Sequence, residues 1–315
     1  MSEVKKIATR DSYGNALVEL GREHENLVVL DADLAAATKT VVFKKAYPER
    51  FIDCGIAEAN MTGVAAGLST CGKVPFISSF AMFVAGRAFE QIRNSIGYPH
   101  LNVKIGATHA GITVGEDGAT HQCNEDIALM RTIPGMVVIS PADDVEARVA
   151  VKAAYKYEGP VYLRFGRLAL PVIHNESDYT FEIGKGEILR EGKDLTIVAT
   201  GAMVSNSLEA AKKLKEDGIE AKVINIHTIK PIDEGLLVKA AKETGAIVTA
   251  ENHNCTCGLG SAVARVLSAK CPTPVEMVGV HDQFGQVGAQ SFLQEAYKLT
   301  AEEIVANVKK VIARK

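Results

Sequence analysis

The sequence predicts an α/β protein with two doubly wound domains, each built around a mainly parallel sheet. Short apolar runs alternate with amphipathic helical patterns along most of the chain, which is typical of strand–helix–strand units. The 315 residues exceed one typical globular domain and suit two. Between Leu170 and Gly192 the sequence becomes polar and rich in turn residues. We therefore predict domains at residues 1–175 and 186–315, joined by a linker at 176–185.

In the first domain, an amphipathic helix is predicted from about Tyr13 to His24. The predicted strands of this half are Leu27–Leu30, Val103–Gly106, Met136–Ile139 and Val161–Phe165. The helical segments that separate these short runs favour a parallel sheet.

The second domain repeats the pattern on a smaller scale. Its predicted strands are Leu195–Ala199, Ala221–Ile226, Ala246–Ala250 and Val275–Val278. Its predicted helices are Ser205–Asp217, Glu234–Thr244 and a segment after Gly260. Four strands alternating with helices predict a small doubly wound domain.

The composition excludes several classes of protein. The chain is 47% hydrophobic and 23% charged, which is typical of a globular protein with a core. The formal net charge is −3 and no basic block stands out, so we expect no nucleic-acid partner. No signal peptide or membrane span is visible, and we expect a cytoplasmic protein whose six cysteines are reduced thiols.

Two glycine-rich segments resemble nucleotide-binding loops without completing them. Gly67–Lys73 matches most of a P-loop, but Val74 stands where Ser or Thr would bind magnesium. A helix that ends at Gly72 explains this segment better. Gly258-Leu259-Gly260 lacks the third glycine of a dinucleotide loop. A nicotinamide dehydrogenase is therefore not predicted.

Glu58 stands in a nearly uncharged stretch: between Cys54 and Gly86 only Glu58 and Lys73 carry charge. A buried carboxylate is costly unless paired, and burial raises its pKa. The alternative is an exposed Glu on the first turn of a helix, favoured by the helix dipole. Phe80 and Phe83 follow downstream, either as core residues or as an aromatic wall beside Glu58.

The most unusual segment is residues 108–122, with two His, two acids and three Gly within fifteen residues. This density predicts a loop whose backbone approaches a ligand. His109 and His121 can move protons near neutral pH or bond hydroxyls and phosphates. Their spacing matches no helical pair of metal ligands, so no metal site is predicted here.

This segment, together with Asp53–Met61, resembles the transketolase family. Ala8–Arg10, Ala32–Leu34, the Phe80/Phe83 pair and Pro134–Met136 follow in the family's order. The resemblance spans the whole chain but only two domains of the family. It implies a thiamine-diphosphate pyrimidine-binding domain followed by a transketolase C-terminal domain.

The resemblance implies a transferase that moves a two-carbon ketol unit from a ketose phosphate to an aldose phosphate. By this resemblance, Glu58 looks like the carboxylate that activates thiamine diphosphate through the N1′ nitrogen of its pyrimidine ring. Phe80 and Phe83 look like the wall of that ring. The family often has a Tyr where Gly86 stands, so this face of the pocket departs from the family's pattern.

The resemblance also assigns substrate and interface roles. His109 and His121 look like histidines that polarise the sugar carbonyl and transfer protons. Asp117 looks like an acid that recognises a sugar hydroxyl by a hydrogen bond. Arg10 and Arg164 look like clamps for the sugar phosphate, although Arg167 lies close behind Arg164. Two further assignments concern the cofactor: Asp33 resembles an acid near it at a subunit interface, and the family's phosphate-touching Ser is here Ala37, beside Thr38.

The family's Gly-Asp-Gly motif, which holds a metal and the diphosphate, does not occur in the chain. The resemblance therefore implies the C-terminal subunit of a split transketolase. An N-terminal partner subunit would bind Mg²⁺ or Ca²⁺, and the complex is expected to be a heterotetramer formed partly by self-association.

Two other functions stay open. Deoxyxylulose phosphate synthases and the β subunits of 2-oxoacid dehydrogenases share this half, and Ser78–Phe80 with Arg87–Gln91 is somewhat closer to them. The double-histidine loop favours transketolase. A non-catalytic regulatory subunit would have no need of Glu58, His109 and His121 together.

Overall fold

The computed structural model describes residues 5–315. The strands of the first half are β1 (Lys6–Ala8), β2 (Leu27–Asp31), β3 (Phe51–Asp53), β4 (Val74–Phe80), β5 (Lys104–Thr108), β6 (Val137–Ile139), β7 (Val161–Arg164) and β8 (Ala169–Pro171). The helices of this half are α1 (Thr9–Glu23), α2 (Ala35–Thr38), α3 (Val41–Ala46), α4 (Glu58–Thr70), α5 (Phe89–Gln91), α6 (Asp126–Thr132) and α7 (Asp144–Lys156). Met82–Arg87 and Ile92–Gly97 form π-helical turns, and Pro48–Arg50 and Ile112–Val114 form 3₁₀ turns.

The second half contributes β9 (Glu187–Arg190), β10 (Leu195–Ala199), β11 (Ala221–Asn225), β12 (Thr228–Lys230), β13 (Ile247–Asn254) and β14 (Val275–Val280). Its helices are α8 (Met203–Glu216), α9 (Glu234–Thr244), α10 (Leu259–Lys270), α11 (Gln290–Ala296) and α12 (Ala301–Ile312). Among these residues no helix is long and apolar enough to cross a membrane.

The larger sheet has seven strands in the order β12-β6-β7-β5-β4-β2-β3. All neighbours are parallel except the edge pair β12 and β6. Helices cover both faces, so the central strands are buried throughout, as β4 shows over all seven of its residues. The predicted parallel α/β fold is confirmed. β4 is a strand that the sequence analysis did not identify.

The smaller sheet has the order β14-β13-β10-β11-β9, and only β9 runs antiparallel to its neighbour. Sequence patterning predicted four strands here, and β9 is the fifth. The predicted helix at Glu234–Thr244 coincides with α9. A Gly at the left-handed position 245 ends it, as helix C-termini commonly require.

Both glycine-rich segments have structures that differ from nucleotide loops. Gly72, with φ +80°, lies in the turn from α4 to β4, so the order is helix–turn–strand rather than the strand–loop–helix of a P-loop. At the start of α10, the buried carboxylate of Glu251 accepts hydrogen bonds from Leu259 N (2.6 Å) and Gly260 N (2.8 Å). This carboxylate takes the position where a phosphate would bind a helix N-terminus.

The two halves interlock. β12 comes from the second half of the chain but pairs with β6 in the larger sheet. Residues 172–186, which include the predicted linker, contain no helix or strand. His174 fixes this segment because Nδ1 lies 3.0 Å from Asp143 Oδ1 and Nε2 lies 2.9 Å from Glu187 Oε2. Burial lowers the pKa of His174, but these carboxylates outweigh burial and raise it to about 10. The domain bounds themselves stay a prediction.

Candidate active site at the carboxyl edge of the larger sheet

The predicted site residues gather at one edge of the larger sheet. β2, β3, β4 and β5 are adjacent and parallel, so their carboxyl ends lie together. Asp33, Glu58, Phe80 and His109 lie at or shortly after the ends of these four strands. From β2 the chain moves to β3 on one side, and from β3 it returns past β2 to β4 on the other side. Open α/β sheets bind ligands at such a switch point.

Glu58 is the first residue of α4 and is 1% exposed, which resolves the two interpretations in favour of burial. Its Oε2 accepts a hydrogen bond from Arg87 Nη1 at 3.1 Å. Among residues 5–315, Oε1 has no hydrogen-bond partner, so one acceptor of a buried carboxylate is left for a ligand. Arg87, which sequence analysis did not assign, also lies 5.5 Å from the Phe83 ring centroid, measured from Cζ.

Phe80 and Phe83 form an aromatic wall of two nearly parallel rings. Their rings are stacked with centroids 5.7 Å apart and an interplanar angle of 12°. A π-helical turn starts at Met82 and carries Phe83, and such turns are frequent at functional sites. Beside Gly86, the Met82 Cε atom lies 2.5 Å from where a Cβ would stand. Met82 therefore takes the space in which a larger residue at position 86 would begin.

His109 lies behind this wall, 2% exposed and with a positive φ of 57°. Its ring stacks on Phe80 with centroids 3.7 Å apart. Nε2 lies 2.9 Å from Arg10 Nη1, and Nδ1 lies 2.9 Å from Thr108 Oγ1. A guanidinium can only donate, so Nε2 must accept and Nδ1 carries the proton. Burial lowers the pKa of His109 to about 3, with further lowering from Arg10, Arg167, His121 and Lys39.

We expect His109 to stay neutral above about pH 4, with its proton on Nδ1. NMR of the histidine ring nitrogens in ¹⁵N-labelled protein will report the charge of the His109 ring and the nitrogen that carries its proton. Arg10→Met should raise the pKa of His109, because it removes a nearby cation. Since the folded pKa is depressed, the stability from this neutral ring is present above pH 6.5 and is lost as the pH falls toward 3. Titration of His109 with its usual pKa near 6.5 would contradict this assignment.

His121 faces the same aromatic wall from the side. Its ring meets Phe83 edge-on at 5.2 Å and Phe80 at 6.1 Å, measured between centroids. It is only partly buried, and its Nδ1 lies 2.9 Å from Thr120 Oγ1. Among the described residues Nε2 has no hydrogen-bond partner, so this nitrogen is available to a substrate. Asp117 lies on the same loop with an exposed side chain.

A cationic group lies around His109. Arg10 Nη1 donates to Ala37 O at 3.1 Å, whereas Arg10 Nε is buried and has no partner within residues 5–315. Arg167 is partly exposed, donates from Nη1 to Val114 O at 2.6 Å, and approaches Asp117 Oδ2 at 3.4 Å. Lys39 also acts on the pKa of His109. An unpaired buried donor among three cations suits an anionic ligand.

Arg164 lies apart from this cationic group, and its contacts argue against the predicted role as a phosphate clamp. It is 6% exposed and forms a two-point ion pair with Asp126, with Nε–Oδ2 at 2.7 Å and Nη2–Oδ1 at 3.2 Å. Nη2 also donates to Asn252 O at 2.8 Å. Its guanidinium is thus committed inside the protein, and Arg167 is the arginine beside the loop.

Asp33 and Thr38, which both follow β2, differ in exposure. Asp33 is exposed with φ +63°, and its carboxylate has no hydrogen-bond partner in the described part of the chain. Thr38 is buried and donates to Asp31 Oδ2 at 2.7 Å, so it does not replace a phosphate-binding serine at Ala37. Burial raises the pKa of Asp31 to about 6, against the lowering effect of hydrogen bonds from Thr38, Leu34 and Thr40.

The arrangement fits a flat, nitrogen-containing aromatic ring. Phe80 and Phe83 offer an apolar face, and the free Oε1 of Glu58 offers an acceptor to a protonated ring nitrogen. His121 and the cationic group could then bind a polar, anionic second molecule at the rim.

Comparison with known proteins identifies the family of both halves of the chain. Residues 5–172 match the family described as transketolase, pyrimidine binding domain, and residues 184–304 match transketolase, C-terminal domain. The 6-deoxy-6-sulfo-D-fructose transketolase subunit SqwH of Clostridium sp. strain MSTE9 is 46% identical over 306 residues, which cover 97% of this chain and 95% of that protein.

Solved structures of transketolases are also similar to this chain. A structure described as a split-gene transketolase, inactive β4 tetramer, is 55% identical with a TM-score of 0.90, covering 98% of this chain and 99% of that one. The transketolase of Campylobacter jejuni shares the fold at 24% identity and a TM-score of 0.83, but the match covers only 47% of its chain. The protein therefore belongs to the transketolase family and carries that family's pyrimidine-binding domain and C-terminal domain.

Proposed function

We propose that this chain is the C-terminal subunit of a thiamine-diphosphate-dependent transketolase that transfers a two-carbon ketol unit from a ketose phosphate to an aldose phosphate. The observation that carries the proposal is the convergence of Glu58, the Phe80/Phe83 wall and the two histidines at one sheet edge. A regulatory subunit would have no use for a buried carboxylate that keeps one acceptor free.

The pyrimidine-binding domain implies thiamine diphosphate, and Glu58, Phe80 and Phe83 would hold its pyrimidine end. When bound, the cofactor supplies the carbon nucleophile that attacks the ketose carbonyl. Glu58 holds a proton at the pyrimidine N1′ nitrogen, and the two phenyl rings exclude water from it. Arg87 keeps the other carboxylate oxygen in place.

The two histidines take different roles. His121 has a free Nε2 beside the wall and is placed to exchange protons with a substrate oxygen. His109 is neutral, and its Nε2 is already bonded to Arg10. It therefore orients the arginine and closes the back of the pocket.

The charged end of the sugar would lie against Arg10, Arg167 and Lys39. A phosphate or sulfonate suits this group equally well, because both present oxygens with negative charge to arginine donors. SqwH, by its name, acts on a sulfosugar, so both kinds of donor need testing. Asp117, beside Arg167, is placed to accept from a sugar hydroxyl.

The N-terminal partner would complete the site. The chain has no Gly-Asp-Gly motif, so the partner is proposed to bind Mg²⁺ or Ca²⁺ and the diphosphate. Ile52, Ile56 and Val64 flank Glu58 in sequence and are 36%, 75% and 37% exposed, which suits a surface covered by another subunit. We propose a heterotetramer of two chains of each kind.

The test is to make the chain alone and together with the N-terminal subunit, and to follow transfer from xylulose 5-phosphate and from 6-deoxy-6-sulfofructose to an aldose phosphate. Thiamine diphosphate and magnesium are added throughout, and light scattering gives the mass of each assembly. Activity of the pair but not of the single chain is expected. Turnover of pyruvate without ketol transfer would instead favour the synthase or dehydrogenase relatives.

A further inference from the structure

The C-terminal domain contributes none of the candidate active-site side chains, yet it touches the loop that carries His109, Asp117 and His121. We infer that Asn252 of β13 is a positioning residue for this loop. By this inference the C-terminal domain acts in catalysis by holding the loop in the conformation that the reaction requires. The catalytic part of this inference rests on the proposed function.

Asn252 uses its side-chain amide and its backbone oxygen to hold the two domains together. Its Oδ1 accepts from Ile112 N at 2.9 Å, and its Nδ2 donates to Thr113 Oγ1 at 2.9 Å. Its backbone oxygen accepts from Arg164 Nη2 at 2.8 Å. The side chain is 4% exposed, so losing it would leave buried partners without bonds.

The loop is shaped to receive this side chain. Gly111 has φ +78°, and a Cβ there would lie 2.6 Å from Asn252 Cγ, Nδ2 and O. The backbone of residue 111 therefore lies directly against the amide, and only glycine allows both the conformation and the approach. Gly111 follows His109 by two residues, so a shift here is passed to the histidine.

Two further contacts from the same domain hold the remainder of the loop. Gln290 Nε2 donates to Thr113 O at 2.8 Å, and Gln122 Nε2 donates to Gln286 O at 2.9 Å. Gly111 N donates to Cys123 O at 2.8 Å and closes the base of the loop. Asp117 and His121 lie between these fixed points.

The experiment compares Asn252→Ala, which removes both side-chain bonds, with Thr113→Val, which removes one and keeps its size. Asn206→Ala is the matched control, because Asn206 Nδ2 donates to Leu299 O at 2.9 Å within the same domain and away from the loop. Gln290→Ala removes only the bond to Thr113 O and keeps the test usable if Asn252→Ala does not fold.

Hydrogen–deuterium exchange of peptides covering residues 108–122 is measured on the chain alone, so this readout does not depend on enzyme activity. We expect about tenfold faster exchange in Asn252→Ala and a smaller increase in Thr113→Val and Gln290→Ala. Exchange in Asn206→Ala should match the unmodified chain. Unchanged exchange in all three loop variants would overturn the inference.

In the complex with the N-terminal subunit, kcat/KM for ketol transfer should fall by about tenfold to a hundredfold in Asn252→Ala, with unchanged affinity for thiamine diphosphate. Faster exchange with unaltered kcat/KM would reject the catalytic role and leave only a structural one. If the unmodified complex shows no ketol transfer, the proposed function fails, and the exchange data still decide whether Asn252 holds the loop.

Discussion

Glu58→Gln in the assembled enzyme is expected to lower turnover by about a thousandfold, since general acid–base groups commonly contribute about 10²- to 10⁴-fold. Gln matches Glu in size and can still accept the Arg87 hydrogen bond that Oε2 accepts now. It removes the negative charge that would stabilise a protonated ring nitrogen at the free Oε1. The fold and the aromatic wall should therefore remain while activation of the cofactor is lost.

The measurement is the steady-state turnover of the complex with saturating thiamine diphosphate, together with the urea midpoint of the chain. Glu90→Gln is the control, because Glu90 is exposed and bonds only Gln91 and Asn94, both on the surrounding helical turns. It should change neither quantity appreciably. If Glu58→Gln kept more than half of the normal turnover, the role of Glu58 in activating the cofactor would be refuted.

The sequence predicted most of the fold because the fold is repetitive. Apolar strand runs such as Leu27–Leu30 and Leu195–Ala199 lie between amphipathic helices, and this local pattern alone indicates parallel sheets. β4 escaped prediction because Pro75, Ser78 and Ser79 interrupt its apolar run, although every residue is buried. β9 and β12 were missed because short edge strands carry little pattern.

The site was predictable to the extent that its residues follow strand ends. Glu58, Phe80 and His109 come together because adjacent parallel strands end at the same edge. The partners of these residues were not predictable, since they come from distant parts of the chain. Arg87 lies 29 residues from Glu58, Asp126 lies 38 from Arg164, and Asn252 lies 140 from Ile112.

Replacing in turn Arg164, the last residue of β7, and Arg167, which follows the strand, should therefore separate stability from substrate binding. Arg164→Met is expected to lower the free energy of unfolding by about 3–5 kcal/mol, because it leaves the buried Asp126 carboxylate without its cation. Arg167→Met should lower the free energy of unfolding by no more than about 1–2 kcal/mol, since its ion pairs with Glu116 and Asp117 are 3.4 Å long and partly exposed and it otherwise loses one bond, to Val114 O. It should instead raise KM for an anionic sugar by about tenfold or more.

Urea unfolding of the chain measures the first effect, and kinetics of the complex with phosphorylated and unphosphorylated acceptors measure the second. Arg164→Met combined with Asp126→Asn should recover part of the lost stability, because the orphaned charge is removed together with its partner. Arg167→Lys should restore part of the affinity, since it returns the positive charge without the planar donors. If Arg164→Met were fully stable and raised KM selectively for phosphorylated sugars, Arg164 would be the clamp that the sequence suggested. Otherwise the arginine three residues later takes that role, because Asp126 on α6 binds the first one inside the protein.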